Sequence, residues 1–135
     1  MSYKFLEHTA DVKFEAEGKS LEEVFISSAD ALFETIYGDL KIKGKIKKEI
    51  DVEGEDNMSL LYSFLEEFLF LLDAEDFVGL KVEDVKINGY KLSAKVVGDK
   101  KSNYNFTNDV KAITYSDMKI EEKKGKWVAV GVYDV

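Results

Sequence analysis

The stretch VKFEAEGKSLEEVFISSADALFETIYG, residues 12–38, changes its hydrophobic period halfway along. Up to Ala16, apolar Val12, Phe14 and Ala16 alternate with charged residues, the period-2 pattern of a half-buried strand. Gly18 breaks the pattern. Ser20 followed by Glu23 is a capping box, in which a hydroxyl and a carboxylate satisfy the first free N–H groups of a helix. From there Leu21, Val24, Phe25, Ser28, Leu32, Phe33 and Ile36 recur at helical spacing, and Gly38 supplies a C-terminal stop. A strand feeding a helix within 27 residues sets the class as mixed α and β.

The pattern then repeats in kind but not in sequence. IKGKIKKEIDVE, residues 42–53, alternates again and reads as a strand with a lysine-rich outer face. After the turn GEDNMS, the segment SLLYSFLEEFLFLLDAEDF is apolar nearly all round, which predicts a central, buried helix with Glu66 and Glu67 on its polar side. From about residue 79 everything reads as strand: LKVEDVKI and KLSAKVVGD about the hairpin signal Asn88-Gly89, then VKAITYSDMKIEE and WVAVGVYDV about KKGK. The expected architecture is therefore α+β, a two-layer sandwich of two helices on a mainly antiparallel sheet of about six strands, in the order β-α-β-α-β-β-β-β. Residues 98–109, GDKKSNYNFTND, are expected to form the one sizeable loop. There is no internal repeat, low-complexity tract or linker, so residues 1–135 are expected to form a single domain.

Composition narrows the function. The net charge is −8, from 27 acids against 19 bases, and every base is lysine. An acidic chain without arginine lacks the guanidinium fork that grips phosphate and guanine, so no direct nucleic-acid binding is expected. A basic protein partner or a metal ion fits better. No apolar run spans a bilayer and the N-terminus lacks a secretory core, so the expectation is a cytoplasmic protein without membrane contact. With no cysteine there is neither disulfide nor thiolate chemistry. Phosphate-loop, nucleophile-elbow and HExxH signatures are all missing. DAEDFVGLKVED has the acidity of a calcium loop but neither its alternating ligands nor its sixth-position glycine. Glu66 and Glu67 could be a catalytic acid pair, but adjacent helical residues diverge by about 100°, which favours a solvated edge.

Two places concentrate polar chemistry. HTAD, residues 8–11, holds the one histidine of the chain. His8 reads either as a base or metal ligand or as a histidine hydrogen-bonded at a strand entrance. Asp11 reads either as an oxygen ligand or as a turn carboxylate. At the other end, the last strand runs to the final residue, so Asp134 and the α-carboxylate of Val135 stand at one place. Should that strand lie beside the first, Asp11, Asp134 and Val135 converge, and three mutually repelling carboxylates favour a Ca²⁺ or Mg²⁺ ion among them.

These same blocks resemble the archease family over almost the whole chain. EHTADVKFEAEGKSLEEVFISSADALFETI resembles its N-terminal signature. LLYSFLEEFLFLLD is similar to its leucine-rich helix, with Glu67 at the family's glutamate position. VKAITYSDMKI is similar to its third block and the terminal YDV to its close. The resemblance implies a non-enzymatic cofactor of the tRNA-splicing RNA ligase, one that promotes guanylylation of the ligase's active-site histidine and multiple turnover, and can broaden its choice of nucleoside triphosphate. It also implies a metal site, occupied by calcium or another divalent cation, at Asp11, Asp134 and Val135, with His8 and Thr9 as groups that orient Asp11. An alternative implied by the same family is a chaperone or binding module for a tRNA-modifying enzyme such as a tRNA methyltransferase. The chain departs from the family at Ser116, where histidine is usual, and at Asp99, where a glutamate and a histidine are often found nearby.

Overall fold

The computed structural model describes residues 1–6, 11–106 and 110–135. In chain order the elements are β1 (Ser2–Leu6), β2 (Val12–Gly18), α1 (Leu21–Tyr37), β3 (Ile46–Glu53), α2 (Asn57–Ala74), β4 (Phe77–Asn88), β5 (Lys91–Lys100), β6 (Ala112–Lys123) and β7 (Lys126–Asp134). A short 3-10 turn, Lys101–Asn103, follows β5. The strands form two antiparallel sheets, one ordered β1-β2-β7-β6 and the other β3-β5-β4.

The predicted helix signals act largely as read, except that the Glu23 carboxylate of the Ser20 box accepts from the Lys19 N–H, at 3.2 Å, instead of the Ser20 N–H. The Ser20 hydroxyl accepts from the Glu23 N–H at 3.1 Å, and Gly38 closes α1 with φ 56°, a conformation that favours glycine. Asp56 caps α2 by accepting from the Ser59 N–H at 2.7 Å, while the Ser59 hydroxyl accepts from the Asp56 N–H at 3.1 Å.

The α+β class holds, but the single sheet of about six strands is corrected: the described residues form seven strands in two sheets. One added strand is β1, whose five residues are too few to show a clear period. The second sheet follows from the helices. Buried residues of α2 include Leu60, Leu61, Phe64, Leu65, Phe68, Leu69, Leu71 and Leu72, more of its circumference than one layer can cover. Accordingly α1 packs on β1 and β2 of one sheet and β4 of the other, and α2 on β6 of one and β3 of the other. The supposed loop at 98–109 is also shorter than expected, because Gly98 to Lys100 complete β5.

Between the helices lies an aromatic column: Phe25 on Phe64 at 5.4 Å, Phe64 on Phe68 at 4.9 Å and Phe68 on Phe33 at 4.8 Å, all buried. On the four-stranded sheet, Phe14 stacks on Tyr133 at 5.1 Å. Gly131 makes that stack fit, because a Cβ there would run into the Phe14 ring. Gly131→Ala is therefore expected to destabilise the fold by about 1–3 kcal/mol, the usual cost of overpacking a core. Urea unfolding checks this, and an unchanged midpoint would contradict it.

Candidate functional site

The end of β7 lies inside the four-stranded sheet, with β2 on one side and β6 on the other. Val12 is opposite Tyr133 in the β2–β7 register, and Asp11 precedes Val12 at a bend just outside the strand, at the same end of the sheet as Asp134. On the other flank Asp134 is paired with Ala112, and its carbonyl accepts from the Lys111 N–H at 2.7 Å. Tyr133 anchors this end: it is fully buried, and its hydroxyl donates to the Ser28 carbonyl at 3.4 Å. Strand alternation then turns Asp134 outward, and both Asp134 and Val135 are exposed while Asp11 is half-buried.

The three predicted carboxylate positions thus lie at one end of the four-stranded sheet. Their donors are all hard oxygens, the set that suits calcium or magnesium. Among the described residues no three His, Cys, Asp or Glu side chains are grouped for a metal. His8 and Thr9 lie outside the described residues.

Close to this end β6 departs from regular pairing. Thr114 is opposite Val132 and Lys119 is opposite Val130, so Tyr115, Ser116, Asp117 and Met118 together face Gly131. Met118 is buried while Tyr115, Ser116 and Asp117 are exposed. Ser116 therefore stands on a bulge about 10 Å along the sheet from Asp134, at some 3.3 Å per strand residue.

Asp99 has a different job from a loop residue. Placed near the end of β5 and buried, it accepts from the Tyr104 hydroxyl at 2.6 Å, the Lys100 N–H at 2.8 Å and the Asn103 amide at 3.3 Å. The Tyr104 hydroxyl above all, then the Lys100 N–H, Asn103 and the charge of Lys45, hold its carboxyl below the usual carboxylate range. Tyr104 in turn accepts from the Lys43 N–H at 2.9 Å, so Asp99 clamps the chain after β5 to the segment before β3.

Glu66 and Glu67 line an open groove with Val52, Glu53, Tyr62, Ser63 and Phe70 rather than a deep pocket. Burial, and then the charge of Glu75, raises the Glu67 carboxyl, while Glu66 accepts a hydrogen bond from the Tyr62 phenol and raises its pKa.

One titratable cluster escaped sequence reading. Asp30 and Glu34 of α1 lie near Tyr3 of β1 and Tyr37, and both phenols are raised first by burial and then by these carboxylates. Burial pushes the Asp30 carboxyl from 3.8 up to about 6. Its sequence signal was an acid set among the small apolar residues of SSADAL, inside an otherwise buried helical stretch.

The chain matches the family model described as the Archease protein family (MTH1598/TM1083) over residues 3–135. A protein archease of Pyrococcus abyssi is 44% identical, with 98% of each chain covered. One from Methanosarcina mazei is 35% identical over 98% of this chain and 95% of its own. The solution structure of Methanobacterium thermoautotrophicum protein 1598 superposes with a TM-score of 0.84 at 32% identity, covering 98% of both chains. A Thermotoga maritima archease, described with its crystal structure as a possible chaperone, superposes at 0.67 with 21% identity, covering 98% of this chain and 96% of that one, and supports the fold alone.

A raised Asp30 pKa has a definite sign. The stability that the protonated carboxyl allows is fully present below its ordinary 3.8 and is lost as pH rises through about 6. Asp30→Asn is expected to be more stable than the native chain at pH 8 by about 1–2 kcal/mol, discounted for partial exposure, and no more stable near pH 4. Urea unfolding at the two pH values measures the difference.

Proposed function

The chain belongs to the archease family and is not an enzyme in its own right, and from that premise we propose that it activates a tRNA-splicing RNA ligase in the cytoplasm. In this reading it promotes guanylylation of the ligase's active-site histidine, permits multiple turnover and broadens nucleotide choice. The observation that supports the reading is that Val12 pairs with Tyr133, which puts the start of β2, next to Asp11, at the same end of the sheet as Asp134 and the carboxylate of Val135. Asp11, Asp134 and Val135 would hold calcium or another divalent cation, with His8 and Thr9 orienting Asp11. When bound, the ion supplies positive charge that offsets the carboxylates and attracts phosphate oxygens. The chain's own contribution is placement. Tyr133 and the pairing of Asp134 with Ala112 hold Asp134 at the end of an inner strand, where a partner would meet an acidic tip.

A second reading, as a chaperone or binding module for a tRNA-modifying enzyme such as a tRNA methyltransferase, is favoured by exposed aromatic surface, with Phe70 54% and Tyr115 41% accessible. The two readings separate on metal.

Single-turnover guanylylation of the cognate ligase tests the first. Asp11→Asn or Asp134→Asn, a chelator, or one residue added after Val135 is each expected to return guanylylation to its unassisted rate while thermal unfolding of the variants stays cooperative. Full stimulation by both aspartate variants would remove the tip from the mechanism and leave the chaperone reading.

A further inference from the structure

In the two-sheet arrangement β6 pairs with β7 and β3 with β5, and among the described residues each has one edge without a strand partner. Helix α2 touches both strands, and part of its surface remains uncovered. That surface carries Tyr62, Ser63, Glu66, Glu67 and Phe70, and with Val52 and Glu53 of β3 it forms the open groove already described. On the opposite rim the β6 bulge carries Tyr115, whose ring meets Tyr62 edge-on at 5.3 Å.

The lining is specific in charge and shape. Three carboxylates, Glu53, Glu66 and Glu67, face the groove and no lysine lines it. Among the described residues none of the three forms an ion pair. Phe70 is 54% exposed, an unusual state for phenylalanine on a helix that is otherwise mostly apolar and buried. Anionic lipid and nucleic acid are repelled by such a lining, and a second copy of the chain brings a further net charge of −8.

We propose that this slot docks an extended, lysine- or arginine-bearing segment of a partner protein. The aliphatic stems of its basic residues lie on Phe70 and Tyr62, and their charged heads reach Glu53, Glu66 and Glu67. Its backbone runs beside the free edge of β3, where N–H and C=O groups are available for strand addition. This surface is built from residues separate from Asp11, Asp134 and Val135, and its docking role stands or falls independently of the ligase reading.

The test uses the full chain and a capped ten-residue peptide alternating arginine and threonine, with a glutamate–threonine peptide as control. Backbone amide shifts on titration are expected at residues 52–53, 62–70 and 115–117. Calorimetry is expected to show affinity reduced about fivefold or more in Glu66→Gln/Glu67→Gln and in Phe70→Ser, with Glu22→Gln/Asp39→Asn at the two ends of α1, away from the groove, binding as the native chain does. Tyr115→Ser on the other rim replaces Phe70→Ser if that variant does not fold. Shifts scattered over the acidic surface, loss-free binding by the aromatic variant, or a native chain that self-associates through these residues in light scattering would each overturn the proposal. No ligase is present in the assay, so its failure leaves the guanylylation reading intact.

Discussion

The structure depends on covering two helices that are apolar over most of their circumference. A helix laid on one sheet buries a single stripe, and the remaining leucines and phenylalanines would face water at roughly 25 cal/mol per Å² of apolar surface. With Phe25, Phe64, Phe68 and Phe33 interlocked between α1 and α2, the two helices cover one flank of each other. Strands of both sheets cover most of the rest. Both sheets, their order and the narrow strip of α2 left open all follow from that requirement.

The solution repeats itself. A strand, a helix and then a hairpin whose second strand returns to the first describes β3-α2-β4-β5, and the same sentence describes β2, α1, β6 and β7 around it. The two helix starts are also alike in chemistry, Gly18-Lys19-Ser20 and Gly54-Glu55-Asp56, each a strand-ending glycine followed by an N-cap. No sequence repeat announces this, because the units share a packing problem rather than side chains.

Local chemistry was legible in the sequence and long-range placement was less so. Capping at Ser20, the stop at Gly38 and the Asn88-Gly89 hairpin are decided within a few residues, and sequence reading finds them. The number of sheets depends on which faces of α2 remain uncovered, a property of the assembled core. Asp99 looked like loop because GDKKSN is a turn-rich string, yet strand pairing with Val78 and the Tyr104 hydroxyl claim it. Asp11 and Asp134 could be linked from sequence because both sit at ends of clearly periodic strands. Asp30, Tyr62 and Tyr115 gave no such cue, since their neighbours come from distant elements. On the archease surface, then, the strands that lead to Asp11 and Asp134 were readable and the aromatic slot beside α2 was not.

The nesting of one unit inside the other also orders events in time. Closing β3 on β5 and β4 on β5 engages a contiguous stretch of chain, whereas Gly18 reaches Trp127, and Val12 reaches Tyr133, only across that whole stretch. Loop-closure entropy rises with the chain enclosed, so the β2–β7 pairing, which joins the local hairpins β1–β2 and β6–β7 across the inner unit, is the late clasp. Once the inner unit has condensed, however, it draws the flanking segments together and shortens the effective loop. The junction of β2 with the acidic end of β7 is therefore the late step, and a chain whose inner unit is weakened reaches it slowly or not at all.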